Sequence, residues 1–144
     1  MSIRITAALV ACVGLAAAAP AAAQAPGPTV TVKTSRFGRI LFDGRGYVLY
    51  AFTRDTAGRS KCSGACARAW PPYIVKSRPR AAAGVAAARL ATTRRANGSL
   101  QVTYAGRPLY YYVGDRKAGQ ILCQNVTEFG GVWLVVGPSG RLVR

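Results

Sequence analysis

The feature that most constrains this chain is a stretch that occurs twice. Gly46-Tyr47-Val48-Leu49-Tyr50-Ala51-Phe52-Thr53-Arg54-Asp55 returns sixty residues later as Gly106-Arg107-Pro108-Leu109-Tyr110-Tyr111-Tyr112-Val113-Gly114-Asp115, a shared G-x-x-L-Y-x-aromatic-x-x-D pattern. The same offset pairs Val30 with Leu90, Gly38 with Gly98, Ile40 with Leu100 and Phe42 with Val102. One supersecondary unit is used twice, and a single small unit cannot bury its apolar face alone. The two units must therefore pack on each other within one domain.

Each unit reads as a β-meander. Thr29 to Lys33 alternates apolar and polar residues with β-branched types, and Ile40 to Phe42 and Tyr47 to Thr53 follow across the turns at Arg36-Phe37-Gly38 and Asp43 to Gly46. Arg89 to Thr93, Ser99 to Tyr104 and Pro108 to Val113 repeat the scheme, with Asn97-Gly98 as a tight turn of positive φ. Each meander ends in a loop and a tryptophan-led segment, at Trp70 and at Trp133; Pro71 and Pro72 make the first an edge or irregular strand. The expected fold is mainly β: two four-stranded meander units, residues 29–76 and 89–137, packed as a small pseudo-symmetric β-sandwich or open barrel. Ser77 to Ala88 joins them as a loop, with a helical turn at Ala86 to Ala88.

Ahead of the domain, residues 1–23 read as a signal peptide: Arg4 precedes an apolar run, and Ala21-Ala22-Ala23 offers a small-residue cleavage site. Residues 24–28 form a linker, so residues 29–144 make one domain, of a size that holds one core. An alternative takes Leu9-Val10-Ala11-Cys12 as a lipobox, with Cys12 carrying a lipid. Net charge is +16, and +15 without Arg4, against only Asp43, Asp55, Asp115 and Glu128. Such a balance favours polyanionic neighbours, although the same composition would also suit cations that merely solvate a surface. Arg78, Arg80, Arg89, Arg94 and Arg95 form the densest basic patch in the sequence.

Tyr50 and Phe52, like Tyr110 and Tyr112, lie two apart and so share a strand face, while Leu49, Ala51, Leu109 and Tyr111 point the other way. Apolarity on both faces marks a central strand, so these aromatics read as core. Asp55 and Asp115 close the motif where a strand ends, placed to accept hydrogen bonds from loop amides in an Asx-type turn. Cys62 and Cys66 are close enough to bridge through Ser63-Gly64-Ala65; a bridge between the units through Cys123 is the alternative. The chain has no His, which excludes haem attachment and leaves zinc short of a ligand. No cofactor or metal is implied.

Together, Tyr50 to Asp55, the Ser60-to-Cys66 loop, Trp70-Pro71-Pro72 and Gln101 to Tyr110 resemble the bacterial family described as "secreted repeat of unknown function", whose members are often described as predicted lipoproteins with a Y-x-[FWY]-x-x-D motif. The resemblance implies an exported envelope protein and brings no reaction with it. Cys123, with Ile121 and Leu122, stands in a stretch that is usually glycine-rich there, and the lipobox is poor.

Without His, and with four scattered acids and no Gly-flanked serine, no acid, base and nucleophile can be assembled. The expected function is a non-enzymatic binding or structural module, periplasmic or extracellular, that meets an anionic envelope polymer, an acidic lipid surface or another envelope protein. The alternative is a thiol-disulfide redox protein using Cys62 and Cys66, although C-x-x-x-C lacks the helical context of thioredoxin-type sites. Nucleic acid suits the charge and the tyrosines but not export or tyrosine burial.

Overall fold

The computed structural model describes residues 27–144. The signal peptide, the lipidation alternative at Cys12 and residues 24–26 of the linker lie outside the described residues. Strand β1 (Thr29–Ser35) pairs antiparallel with β2 (Gly38–Asp43), and β3 (Tyr50–Phe52) follows. A short helix α1 (Ala65–Ala69), β4 (Ile74–Val75) and β5 (Arg80–Ala81) complete the first half. The second half comprises a 3-10 turn at Ala87–Arg89, β6 (Leu90–Arg94), β7 (Leu100–Tyr104), β8 (Arg107–Pro108), β9 (Val126–Glu128) and β10 (Gly131–Val135). The sheets run β2-β1-β5, β3-β10-β9 and β4-β7-β6, with β8 on β7.

The glycines of the repeat are where the turns require them. Gly46 and Gly106, which open the shared motif, have φ of 93° and 74°, a left-handed conformation costly for any residue with a Cβ. In the β6–β7 turn, Gly98 alone of the Asn97-Gly98 pair has positive φ. The turn spans four residues, closed by Gly98 N–H donating to Arg95 O at 2.9 Å, so Asn97 never needs the left-handed region.

The two units exchange their last strands. Tyr50, Ala51 and Phe52 of the first unit pair with Val135, Leu134 and Trp133 of the second. Reciprocally, Tyr73 N–H donates to Leu109 O at 2.9 Å and Tyr111 N–H to Pro71 O at 2.8 Å. Leu41 N–H donates to Val136 O and Val102 N–H to Tyr73 O; Leu41 thus corresponds in the fold to Val102, one residue beyond the sixty-residue offset that pairs Phe42 with Val102, because the β6–β7 turn is one residue longer than the β1–β2 turn. Between them Tyr50 and Tyr110 trade both backbone bonds, each at 2.9 Å, so that a pseudo-twofold axis passes through this pair. The tryptophan-led segment of each unit thus completes the other unit's sheet. Pro71 and Pro72 offer no N–H, which is why β4 is two residues long where β10 has five.

Strand β3 separates two apolar clusters. Tyr50 and Phe52 face the one built around Trp70 and Trp133, and Leu49 and Ala51 face the one with Leu41, Leu109 and Val136. In the first, Trp70 and Trp133, equivalent residues of the two units, stack on each other at 4.1 Å and 4°. Phe52 continues the stack on Trp133 at 4.2 Å, Tyr112 lies tilted on Trp70 at 4.8 Å, and Tyr50 and Tyr110 meet Trp70 and Trp133 edge-on. Stacked and edge-to-face pairs each add about 0.5–1.5 kcal/mol beyond area burial.

The joining segment differs from the expected loop. Arg80–Ala81 pairs parallel with Thr29 and Val30 of β1, and Ala82 N–H donates to Val30 O. The side chains there are Ala and Arg, with no strand periodicity, because the pairing is carried by backbone groups.

Candidate functional site

The motif tyrosines and aspartates bond across the pseudo-twofold axis. Tyr50 Oη donates to Asp115 Oδ2 at 2.7 Å, and Tyr110 Oη donates to Asp55 Oδ2 at 2.7 Å. Each carboxylate also accepts a loop amide from its own unit, Lys61 N–H on Asp55 and Leu122 N–H on Asp115. The acceptors therefore close loops of six and seven residues rather than local Asx turns. Burial pushes both carboxyls above the usual carboxylate range and pushes the Tyr50 and Tyr110 hydroxyls well above the usual phenol range.

The other two acids are also engaged inside. Asp43, 2% exposed, accepts the Arg45 and Tyr47 amides, the Arg45 guanidinium and the Tyr111 hydroxyl. Glu128 accepts Trp70 Nε1 at 2.8 Å. Trp133 Nε1 is buried without an acceptor; the 63-residue offset that relates Trp70 to Trp133 places Ala65 opposite Glu128, and alanine has nothing to accept with. Arg45–Asp43 is the single ion pair among the described residues.

Cys62 and Cys66 form a disulfide, with both residues buried, and Cys123 is a free, partly buried thiol. Cys66 lies within α1, a helical turn that the sequence did not announce. Cys123 stands by Tyr112 and pushes its phenol up to about 12.

Two clefts are related by the pseudo-symmetry, each between the first hairpin of one unit and the post-motif loop of the other. The first, about 470 Å³, lies between Lys33 to Arg36 and Ala118 to Ile121, with Phe42 in its lining. The second, about 690 Å³, lies between Thr93 to Ala96 and Arg59 to Ser63. In each an arginine ties hairpin to loop: Arg36 donates to Ile121 O at 2.6 Å, and Arg95 donates to Cys62 O at 2.7 Å. The second cleft gathers Arg59, Lys61, Arg94 and Arg95, interleaved with Ser60, Ser63 and Thr93.

Of the arginines grouped from the sequence, Arg94 and Arg95 reach this cleft. Arg95 is a strut there, also donating to Ser60 Oγ and Gln101 Oε1, whereas Arg94 is exposed. Arg78, Arg80 and Arg89 are exposed elsewhere: Arg78 beside Ala91 and Thr92, Arg80 on β5, and Arg89 donating to Pro138 O. Sequence proximity missed Arg59 and Lys61. The signal that would have found them is the repeat itself, once its strands are taken as exchanged.

Strand-exchanged units about a tryptophan stack, with basic side chains gathered where loop meets hairpin, define a two-repeat β protein. A family model described as "Secreted repeat of unknown function" matches residues 31–73 and 91–137. The chain belongs to this family, in agreement with an exported protein of unknown activity. No curated protein and no solved structure matches the chain. No helix among the described residues is long and apolar enough to cross a membrane.

Proposed function

We propose that the protein is an exported, non-enzymatic binding module of the cell envelope that docks on an anionic partner through the cleft between residues 59–63 and 93–96. The observation that carries this reading is the disposition of the four carboxylates. Each is engaged by hydrogen bonds from within the fold; among the described residues Arg59, Lys61 and Arg94 form no ion pair, and only Lys61 has a carboxylate, Asp55, acting on it, so the cleft is short of counter-charge. An external anion would supply it, aided by the Ser60, Ser63 and Thr93 hydroxyls. Burial of Cys62 and Cys66, with Arg95 fastened to the Cys62 carbonyl, supports a structural role for the disulfide over thiol exchange, which needs access to sulfur.

The test is binding to polyphosphate and to vesicles carrying an acidic phospholipid, across a salt series. Screening should weaken binding steeply as salt rises. Replacing Arg59, Lys61 and Arg94 with serine should cost about 10- to 100-fold, at roughly 0.5–1 kcal/mol for each exposed charge contact. The same change at Arg78, Arg80 and Arg89 should cost less. No binding at low salt, or binding indifferent to salt, would refute the proposal.

A further inference from the structure

The pseudo-symmetry leaves one strand edge unmatched. Along β1, the edge away from β2 is covered by the joining segment: Arg80 N–H donates to Pro28 O, Ala82 N–H to Val30 O and Val32 N–H to Ala83 O. Strand β6 is the counterpart of β1, and it ends the β4-β7-β6 sheet. Its register places Thr92 opposite Val102, but Val102 spends its N–H on Tyr73 O and its C=O on the Leu109 N–H. The Thr92 N–H and C=O therefore point away from β7, as alternation along an antiparallel strand requires. Among the described residues nothing pairs with them. The chain segment that could have played the part of the β1 cover turns elsewhere: after β10, Leu142 bridges Val136 and Val143 N–H donates to Val135 O.

We infer that the free edge of β6 takes an extended, acidic segment of a partner protein as an added strand, which names the partner class for the anionic docking proposed above and rests on it. Three observations select this occupant. The strand Leu90-Ala91-Thr92-Thr93-Arg94 contains no proline and no charge before its last residue, so it lacks the usual guards against edge pairing. Cations flank it at both ends: Arg78 shares a groove of about 370 Å³ with Ala91 and Thr92, and Arg94 opens onto the cleft with Arg59 and Lys61. A second copy of this chain would bring another +15 against that edge, and like charge opposes such association. Residues 1–26 contain no Asp or Glu, so this chain's own leader does not complement the edge either. Main-chain bonds to an added strand supply affinity, and side chains at alternate positions supply selectivity. Here acidic side chains would reach the flanking arginines.

The experiment uses the full exported chain and three probes: a blocked peptide alternating Glu and Val, the same peptide N-methylated at alternate residues, and polyphosphate. The expected result is that the first peptide binds, slows amide exchange at Thr92 and Arg94, and is weakened by about tenfold or more on N-methylation through loss of main-chain hydrogen bonds. Thr92→Pro, a substitution tolerated where an edge N–H faces outward, should abolish peptide binding and spare polyphosphate binding. The N-methylated comparison needs only the unmodified protein, so it stands if that variant fails to fold. Equal binding of both peptides, or no protection along β6, overturns the inference. Polyphosphate binding without peptide binding overturns the strand and leaves the anionic reading intact; binding of neither at low salt overturns both. Self-association abolished by Thr92→Pro would assign the edge to a second copy and overturn the acidic partner.

Discussion

Exchange of strands makes a quantitative statement about which tyrosine belongs to which aspartate. Tyr50 is five residues from Asp55 and sixty-five from Asp115, yet its hydroxyl donates to Asp115 at 2.7 Å, with Tyr50 fully buried and Asp115 only 8% exposed. Tyr50→Phe removes the donor without opening a large void and leaves Asp115 with the Leu122 amide as its remaining partner. A buried hydrogen bond to an ionised group is worth about 1.5–3 kcal/mol, and an acceptor left unmet adds its own penalty. The expected cost is about 2–3 kcal/mol. Tyr110→Phe acts on the more exposed Asp55 and should cost about 1–2 kcal/mol by the same reasoning. The assay is urea unfolding of the single and double variants, extrapolated linearly to water. A cycle on Tyr50 and Asp115 should return a coupling of about 1.5–3 kcal/mol, whereas Tyr50 and Asp55 should be additive within about 0.5 kcal/mol. A larger coupling within the unit than across the axis would refute the exchanged arrangement.

Other outcomes follow from the same contacts. Replacing both Cys62 and Cys66 with alanine should cost about 2 kcal/mol, the loop entropy of so short a ring; alkylation without reductant should mark Cys123 but neither of the others. Arg95→Lys should destabilise by about 1.5–3 kcal/mol, because an ammonium cannot reproduce the fork that meets Ser60, Gln101 and the Cys62 carbonyl, while Arg94→Lys should be near neutral in thermal melts. Asp55 and Asp115 have folded-state pKa values raised by burial, so between the unfolded and folded values the folded state holds protons that the unfolded state has released. Their contribution to stability therefore falls as pH rises through that window and recovers on acidification. The stability difference between the parent chain and an Asp55→Asn, Asp115→Asn variant should grow in the parent's favour as pH is lowered through the window; a change in the opposite direction would be incompatible with buried, raised carboxyls.

The repeat made much of the fold legible. Its offset located the turns at Gly46 and Gly106, the two-sided segments at Tyr50 and Tyr110, of which the second keeps only β8 and isolated bridges at Tyr110 where the sequence predicts a strand from Pro108 to Val113, and the membership of Trp70 and Trp133 in equivalent segments. It could not say whether equivalent segments stay at home or cross over, because the pairing of Phe52 with Trp133 and of Tyr73 with Leu109 is set by packing across the axis. The helix at Ala65–Ala69 was hidden behind Gly64 and the cysteines, and β5 was hidden because Arg80 and Ala81 contribute backbone rather than an apolar face. The candidate site was the least legible part. Arg59 and Lys61 meet Arg94 and Arg95 only after the strand exchange, and no local spacing encodes a meeting of that kind.

Where the halves agree, they hold the molecule together: the stacked tryptophans, the crossed tyrosine–aspartate bonds and the paired arginine struts. Function is better sought where they differ, since departures from the symmetry are not needed to close the core. Three departures cluster in one region. The 59–63 loop carries two cations and leads into the disulfide where its counterpart at 118–121 has none. The hairpin facing it supplies Arg94 where the first unit has Thr34. The edge of that same hairpin strand lacks the cover that β5 gives β1. In this reading the disulfide holds the cationic loop in place, Arg95 fixes the loop to the hairpin, and the open strand lies alongside the charges. Replacing Arg59 and Lys61 with serine while introducing Ala118→Arg and Leu122→Lys, both at exposed positions of the other loop, would keep the net charge and change its placement; loss of anion binding there would show that geometry, not overall charge, selects the partner.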